Sequence, residues 1–261
     1  MFRIIKIIII IILCLTIKSD AQVVHYDLDS LVKHNNKNHY YKKSILHIDT
    51  IINPFIIKKP SVCIKGLDCS MWQKDIKWHL VDSNFTFVFI KATQNLRTDI
   101  NFKNNWEKCS MPKGAYHFFA PTINGETQAK HFLSVVKIEK GDLPPVIDVE
   151  YTRLWRRCNR YTAVKNLKLM LDYIEKETGV VPIIYTNCGF WNKYIYNYTK
   201  WEISKYPLWV ANYYVEKPKI PLGWEKWTFW QYTPYGKISH HHTDWDMNFY
   251  NGEDLTDIMI K

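Results

Sequence analysis

The chain has 261 residues, 47% of them apolar and 23% charged, a balance that excludes a mostly disordered or collagen-like protein and fits one or two domains. Its single long apolar run excludes a multi-span membrane protein. Aromatics reach 15% and the formal net charge is +10, a pairing that suits either a single-stranded nucleic acid or a sugar polymer on an acidic surface.

Arg3 and Lys6 precede an almost unbroken apolar stretch from Ile7 to Ile17. A membrane span needs about 20 such residues, so this shorter stretch reads as a signal-peptide core. Ser19 and Ala21 put small residues at the −3 and −1 positions, so cleavage is expected before Gln22 and residues 1–21 are read as a signal peptide, with an uncleaved membrane anchor as the minor alternative. Export to the periplasm or exterior removes cytoplasmic nucleic acid as a partner and leaves no stable membrane span in the mature chain. Residues 22–63 read as a polar, basic spacer rich in Lys, Asn and His. The spacing of His25, His34, His39 and His47 matches no metal-ligand set, so neither a metal nor any other cofactor is expected.

From Ile64 onward the pattern is regular. Ile64–Cys69 is a short apolar run that contains Asp68, and Phe85–Thr93 is β-branched and aromatic like a buried strand. Asn101–Cys109 reads as a helix, with Phe102 and Trp106 four apart. Gly114–Phe119 reads as a strand, Thr127–Val136 as a helix and Pro145–Glu150 as a strand. Val164, Leu167, Met170, Leu171 and Ile174 form one helical face in Tyr161–Thr178, and Gly179 stops it. Val181–Thr186, Leu208–Tyr213 and Trp227–Tyr232 read as strands, the last two without helices between them. Strands alternating with helices predict an α/β fold with a parallel sheet or barrel over residues 64–261. Asp68, Lys91, His117, Asp148, Glu150, Tyr185, Asn212 and Gln231 lie toward the C-terminal ends of these strands, the end of a barrel where chemistry is built.

Asp148 and Glu150 carry the most information. Two residues apart on a strand share one face, so both carboxylates are expected to point the same way. Held close, one keeps its proton while the other ionises, which is the division of labour that glycosidic cleavage needs. Asp-x-Glu by itself is also compatible with a metal site or a salt-bridged pair. If the barrel closes, its first and last strands are neighbours, and Asp68 then meets Asp246 across from Asp148 and Glu150.

Eight blocks, in order, resemble glycoside hydrolase family 25, the Chalaropsis-type lysozymes or N-acetylmuramidases. They are Gly66–Gln73, Phe87–Thr93, Gly114–Phe118, Pro145–Glu150, Pro182–Thr186, Pro207–Tyr213, Trp227–Tyr232 and Asp246–Asn248. The resemblance implies a modified TIM-like barrel of five β/α units followed by three further strands. It implies hydrolysis of the β-1,4 bond between N-acetylmuramic acid and N-acetylglucosamine in the glycan strands of peptidoglycan. Glu150 resembles the general acid/base, and Asp148 the partner that assists through the substrate's 2-acetamido group. Asp68 and Asp246 resemble the remaining acids of the site. Tyr116, Tyr185, Trp209, Asn212, Tyr213 and Gln231 are expected to bind substrate. Three positions depart from the family pattern: Gln94-Asn95 stands where Glu-Gly is usual, Met71 where His is common, and Lys74 where Gly is common.

Other residues allow fewer commitments. Trp106 and Trp201 read as packing; Trp72, Trp155, Trp191, Trp209 and Trp230 suit either core or sugar stacking. Residues 64–261 keep 26 basic against 21 acidic side chains, compatible with an anionic wall. Cys158 with Cys188 is expected as a disulfide, Cys63 with Cys109 as a weaker pairing, and Cys69 as a buried free thiol. The protein is expected to be a monomer. Two rivals remain at this stage. A chitinase-type barrel would carry a further Asp where Val146 stands, and a non-catalytic wall-binding barrel would not need all four acids.

Overall fold

The computed structural model of the protein describes residues 64–261. The expected signal peptide and spacer, with Cys14, Cys63 and the four spacer histidines, lie outside the described residues.

Nine strands form one sheet: β1 (Ile64–Cys69), β2 (Phe85–Gln94), β3 (Arg97–Thr98), β4 (Lys113–Phe118), β5 (Val146–Asp148), β6 (Ile183–Thr186), β7 (Leu208–Ala211), β8 (Phe229–Gly236) and β9 (Trp245–Tyr250). Their order is β1-β9-β8-β7-β6-β5-β4-β2-β3, and a further β1–β2 pairing closes eight of them into a barrel. Every strand of the barrel runs parallel to its neighbours except β9, which is antiparallel to both β8 and β1. β3 is a two-residue hairpin partner on the end of β2.

Helices α1 (Phe102–Lys108), α2 (Gly125–Val135), α3 (Arg160–Thr178) and α4 (Cys188–Tyr194) follow β3, β4, β5 and β6. Only two 3-10 turns follow β1. Five β/α units, the first with turns in place of a helix, are therefore followed by the three strands β7, β8 and β9. Asn159 caps α3 by accepting from Tyr161 N and Thr162 N, and Gly179 ends it at φ 70°, a left-handed conformation that glycine adopts freely.

Alternation along the strands produces two apolar layers. Inward-facing Phe87, Phe89, Tyr185, Trp209 and Phe229 fill the barrel, with Phe89 stacked on Trp209 at 4.5 Å and edge-on to Phe229 at 5.0 Å. Outward-facing Val88, Ile90, Ile147 and Ile184 pack beneath Ala129, Phe132, Leu167, Met170 and Leu171 of α2 and α3. The two inward-facing phenylalanines of β2, Phe87 and Phe89, fit because their register partners are glycines: Gly66 faces Phe87 and Gly114 faces Phe89. A Cβ at Gly66 would overlap the Phe87 ring.

Two expectations are corrected. β5 stops at Asp148, so Glu150 lies just beyond the strand. The short helix α4 completes the fifth β/α unit. The Cys158–Cys188 disulfide does not form: both thiols are free. Cys158 Sγ faces the Trp155 carbonyl at 3.9 Å, whereas Cys188 Sγ faces the Ile220 carbonyl at 3.7 Å and Asn192 Nδ2 at 3.5 Å. Cys109 is also free and Cys69 is a buried free thiol, as expected for the latter.

Candidate active site

The parallel strands bring their C-terminal ends to one rim, and reversed β9 brings its N-terminal end to the same rim. A cleft of about 290 Å³ opens there, lined by Asp68, Ser70, Trp72, Lys91, Tyr116, Phe118, Asp148, Glu150, Tyr185, Trp209, Tyr213, Gln231 and Asp246. All four acids singled out in the sequence therefore converge. A larger hollow of about 730 Å³ lies along α2 and α3, but its charged side chains are exposed, and Lys130 and Lys137 are paired with Glu126 and Glu139. The smaller, polar cleft is the better candidate, because its buried charges converge on one space.

Asp68 ends β1 and Asp246 begins β9, and strand register places them directly opposite. Their side chains share a hydrogen bond. Burial raises the pKa of both. Amide donors from Asn248 and Gln231 counteract this for Asp68, whereas the charge of Asp68 pushes Asp246 further up. The shared proton therefore sits on Asp246, which donates to the Asp68 carboxylate.

A hydrogen-bond network fixes Asp68. Asn248 Nδ2 and Gln231 Nε2 donate to Asp68 Oδ2 at 2.8 and 2.9 Å. The Asn248 Oδ1 in turn accepts from Trp209 Nε1 at 2.8 Å, and Gln231 Oε1 accepts from the hydroxyls of Tyr185 and Tyr213 at 2.8 and 2.6 Å. Burial holds both phenols above their ordinary pKa, so they remain neutral donors. The network leaves each amide one orientation, because a carboxylate accepts and a phenol donates.

Asp148 and Glu150 form the second pair. Although β5 ends at Asp148, Val149 N donates to the Tyr185 carbonyl at 2.9 Å and Trp155 Nε1 to the Glu150 carbonyl at 3.0 Å, which carries the chain on along the rim. Burial raises Asp148 well above the ordinary carboxylate range, the charge of Glu150 adds to this, and Lys91 opposes it. Burial also raises Glu150, and Lys91 again opposes. Asp148 Oδ1 is buried with no protein partner. Lys91 Nζ donates to Gln94 Oε1 at 2.8 Å and lies 4.8 Å over the Phe118 ring. Glutamine at 94 thus holds the lysine without neutralising it, leaving its charge to act on Asp148 and Glu150.

The remaining expected residues divide. Tyr116, Tyr185, Trp209, Tyr213 and Gln231 line the cleft. Asn212 does not: its Oδ1 accepts from Lys219 N at 2.9 Å in the loop after β7. His117 faces outward, between Thr93 Oγ1 at 2.7 Å and Gln128 Oε1 at 3.1 Å, and burial lowers it to about 4. Trp155, Trp191 and Trp230 are core, whereas Trp72 stands 72% exposed at the cleft mouth. Its loop is held by Ser70 Oγ accepting from Trp72 N and by Gln73 Nε2 donating to the Asp244 carbonyl. Sequence reading did not place Ser70, Phe118 or Asn248 in the site; Asn248 is two residues from Asp246 on β9, so strand alternation alone puts it on the same face. Among the described residues, no group of three or more His, Cys, Asp or Glu side chains is arranged to hold a metal ion.

The profile of the glycosyl hydrolases family 25 matches residues 67–241. The protein YegX of Escherichia coli (strain K12) is 32% identical over 82% of this chain and 82% of its own length. Lysozyme M1 of Streptomyces globisporus is 31% identical over 72% of this chain and 68% of its own. The crystal structure of the bacterial lysozyme from Streptomyces coelicolor aligns with a TM-score of 0.69 at 29% identity, covering 76% of this chain and 96% of that one. A converging carboxylate cleft at the rim of such a barrel, together with these matches, places the chain in glycosyl hydrolases family 25, as a glycoside hydrolase.

Proposed function

We propose that the protein is an exported lysozyme that hydrolyses the β-1,4 bond between N-acetylmuramic acid and N-acetylglucosamine in peptidoglycan. The observation that carries the reading is the convergence of Asp68, Asp148, Glu150 and Asp246 on one cleft beside Lys91. Membership of a family that includes lysozymes supports the substrate. The apolar run from Ile7 to Ile17 supports export. No helix among the described residues is long and apolar enough to cross a membrane.

In the proposed reaction Glu150 donates its proton to the glycosidic oxygen as the C1–O bond breaks. The carbonyl oxygen of the substrate's own 2-acetamido group attacks C1, and Asp148 accepts the acetamido N–H. Glu150, now a carboxylate, then takes a proton from the water that opens the intermediate, which regenerates the acid and completes a hydrolysis. In the free cleft burial raises both carboxyls, the charge of Glu150 raises Asp148 further, and Lys91 opposes both. With substrate bound, the acetamido donor favours ionised Asp148, and the sugar ring further excludes water from Glu150. Asp68 and Asp246 act through their charge and by positioning the cleft wall.

Mass spectrometry of a digest of purified peptidoglycan tests the reading. Fragments ending in reducing N-acetylmuramic acid are expected; reducing N-acetylglucosamine or anhydro ends would refute it.

A further inference from the structure

Beside Glu150 the sequence changes its choice of cation. The chain has six arginines, and four of them, Arg153, Arg156, Arg157 and Arg160, fall within eight residues. Elsewhere its positive charge is almost all lysine. Residues 151–171 and 178–201 together hold eight Lys and Arg and no Asp or Glu, although residues 64–261 carry only 26 basic against 21 acidic side chains.

The cluster follows the cleft residue Glu150 in the chain, although none of the four arginines lines the cleft itself. Arg153–Arg156 is a 3-10 turn whose Trp155 is bonded to the Glu150 carbonyl. Arg153, Arg156 and Arg157 are exposed, and among the described residues no ion pair joins any of the four guanidinium groups to a carboxylate. Aromatic rings hold two of them in place: Arg156 lies 5.7 Å from the Tyr151 ring and Arg160 4.5 Å from the Tyr194 ring.

Arg160 has a packing role, over Tyr194 and Tyr198 and against the Lys193 carbonyl, but the exposed Arg153, Arg156 and Arg157 have no side-chain hydrogen bond or ion pair among those of the described residues. Arg156, Arg157 and Arg160 crowd the N-terminus of α3, where the helix dipole disfavours cations and the first turn holds no acid. An anionic ligand would offset both the mutual repulsion and the dipole. Arginine's planar fork suits carboxylates and phosphates better than lysine does.

We infer that this arginine cluster binds the carboxylates of the peptide stem that branches from muramic acid. The inference rests on the muramidase reading. That reading seats the muramic acid ring at Glu150, so its 3-O-linked stem must leave over a wall of the cleft. The segment that carries Tyr151 and the arginine turn begins at the residue after Glu150 and is tied to its carbonyl by Trp155. A phosphate-rich wall polymer would match the charge but has no chemical reason to lie beside the acid that cuts the glycan.

The test uses soluble peptidoglycan fragments with intact stems and the same fragments stripped by an amidase. The wild type is expected to show a KM about tenfold lower on stem-bearing fragments, the scale of one or two charge-assisted contacts. The triple variant Arg153→Gln, Arg156→Gln, Arg157→Gln, checked by circular dichroism, is expected to lose that preference. A wild type indifferent to stems, or a triple variant that keeps the preference, overturns the inference. Arginine-dependent inhibition by polyphosphate, with stems making no difference, also overturns it and assigns the patch to a phosphate polymer. Binding of fluorescent fragments to Glu150→Gln repeats the comparison without turnover. Stem-dependent binding with no cleavage by the wild type would therefore refute the muramidase reading and not the patch.

Discussion

Lys91 is the cation that faces Asp148 and Glu150, and it opposes the rise that burial imposes on both. A general acid works protonated, so activity is expected to fall as pH rises through the raised pKa of Glu150. Lys91→Met removes the group that holds this pKa down, so the alkaline limb of the pH profile of kcat/KM should move to higher pH. A limb that stays in place or moves down would contradict the assignment. Asp246 gives a stability prediction. Its folded pKa is raised to about 9 by burial and by Asp68. The folded protein therefore holds a proton that the unfolded chain releases, and stability falls as pH climbs from the ordinary carboxylate range, about 4, toward that value. Asp246→Asn keeps a donor for Asp68 and removes the titration. Thermal melts should show its advantage growing with pH, to about 1–3 kcal/mol, the scale of a buried unpaired polar group. A constant difference from pH 4 to pH 9 would argue against the shared proton. Asp68, Asp148 and Glu150 were legible in the sequence at or beside strand ends, and Asp246 through the family resemblance. Lys91 was placed at the same end without a role, and Asn248 was not assigned, because their roles depend on which strand faces which.

At the scale of elements, segments with a spaced apolar face were readable, including the seven-residue α1 with Phe102 and Trp106 four apart. The apolar face of α3, from Val164 to Ile174, is fully buried as its spacing predicts. The equally short α4 depends on Phe190 and Trp191 packing into the core. Two departures from the family pattern fall where the backbone takes a glycine-like shape. Lys74 and Asn95 stand where glycine is usual, and both adopt positive φ, 59° and 58°. The contact of α2 with α3 depends on Gly125: a Cβ there would meet the backbone carbonyl of Asn166, which cannot swing away like a side chain. Gly125→Ala should cost about 3 kcal/mol, the upper range for overpacking, despite alanine's better helix propensity. A urea titration checks this; an unchanged midpoint would show that the two helices separate freely.

For the whole molecule, one reversed strand makes the site. With β9 antiparallel to both neighbours, its first residues reach the rim where the parallel strands end, and Asp246 faces Asp68. Alternating strand and helix signals were enough to predict a parallel sheet or barrel, and the family resemblance chose the barrel, but the direction of β9 is invisible in a segment as short as Asp244–Asn248. Part of the basic charge, ambiguous in the composition, gathers in the arginine cluster that follows Glu150. The central claim is that Glu150 is the acid that cleaves the glycan, and turnover of purified peptidoglycan by Glu150→Gln tests it most directly. The account predicts a loss of about 10²–10⁴-fold with the melting temperature essentially kept, as for removal of a general acid. Near-normal turnover by a folded Glu150→Gln variant would contradict it.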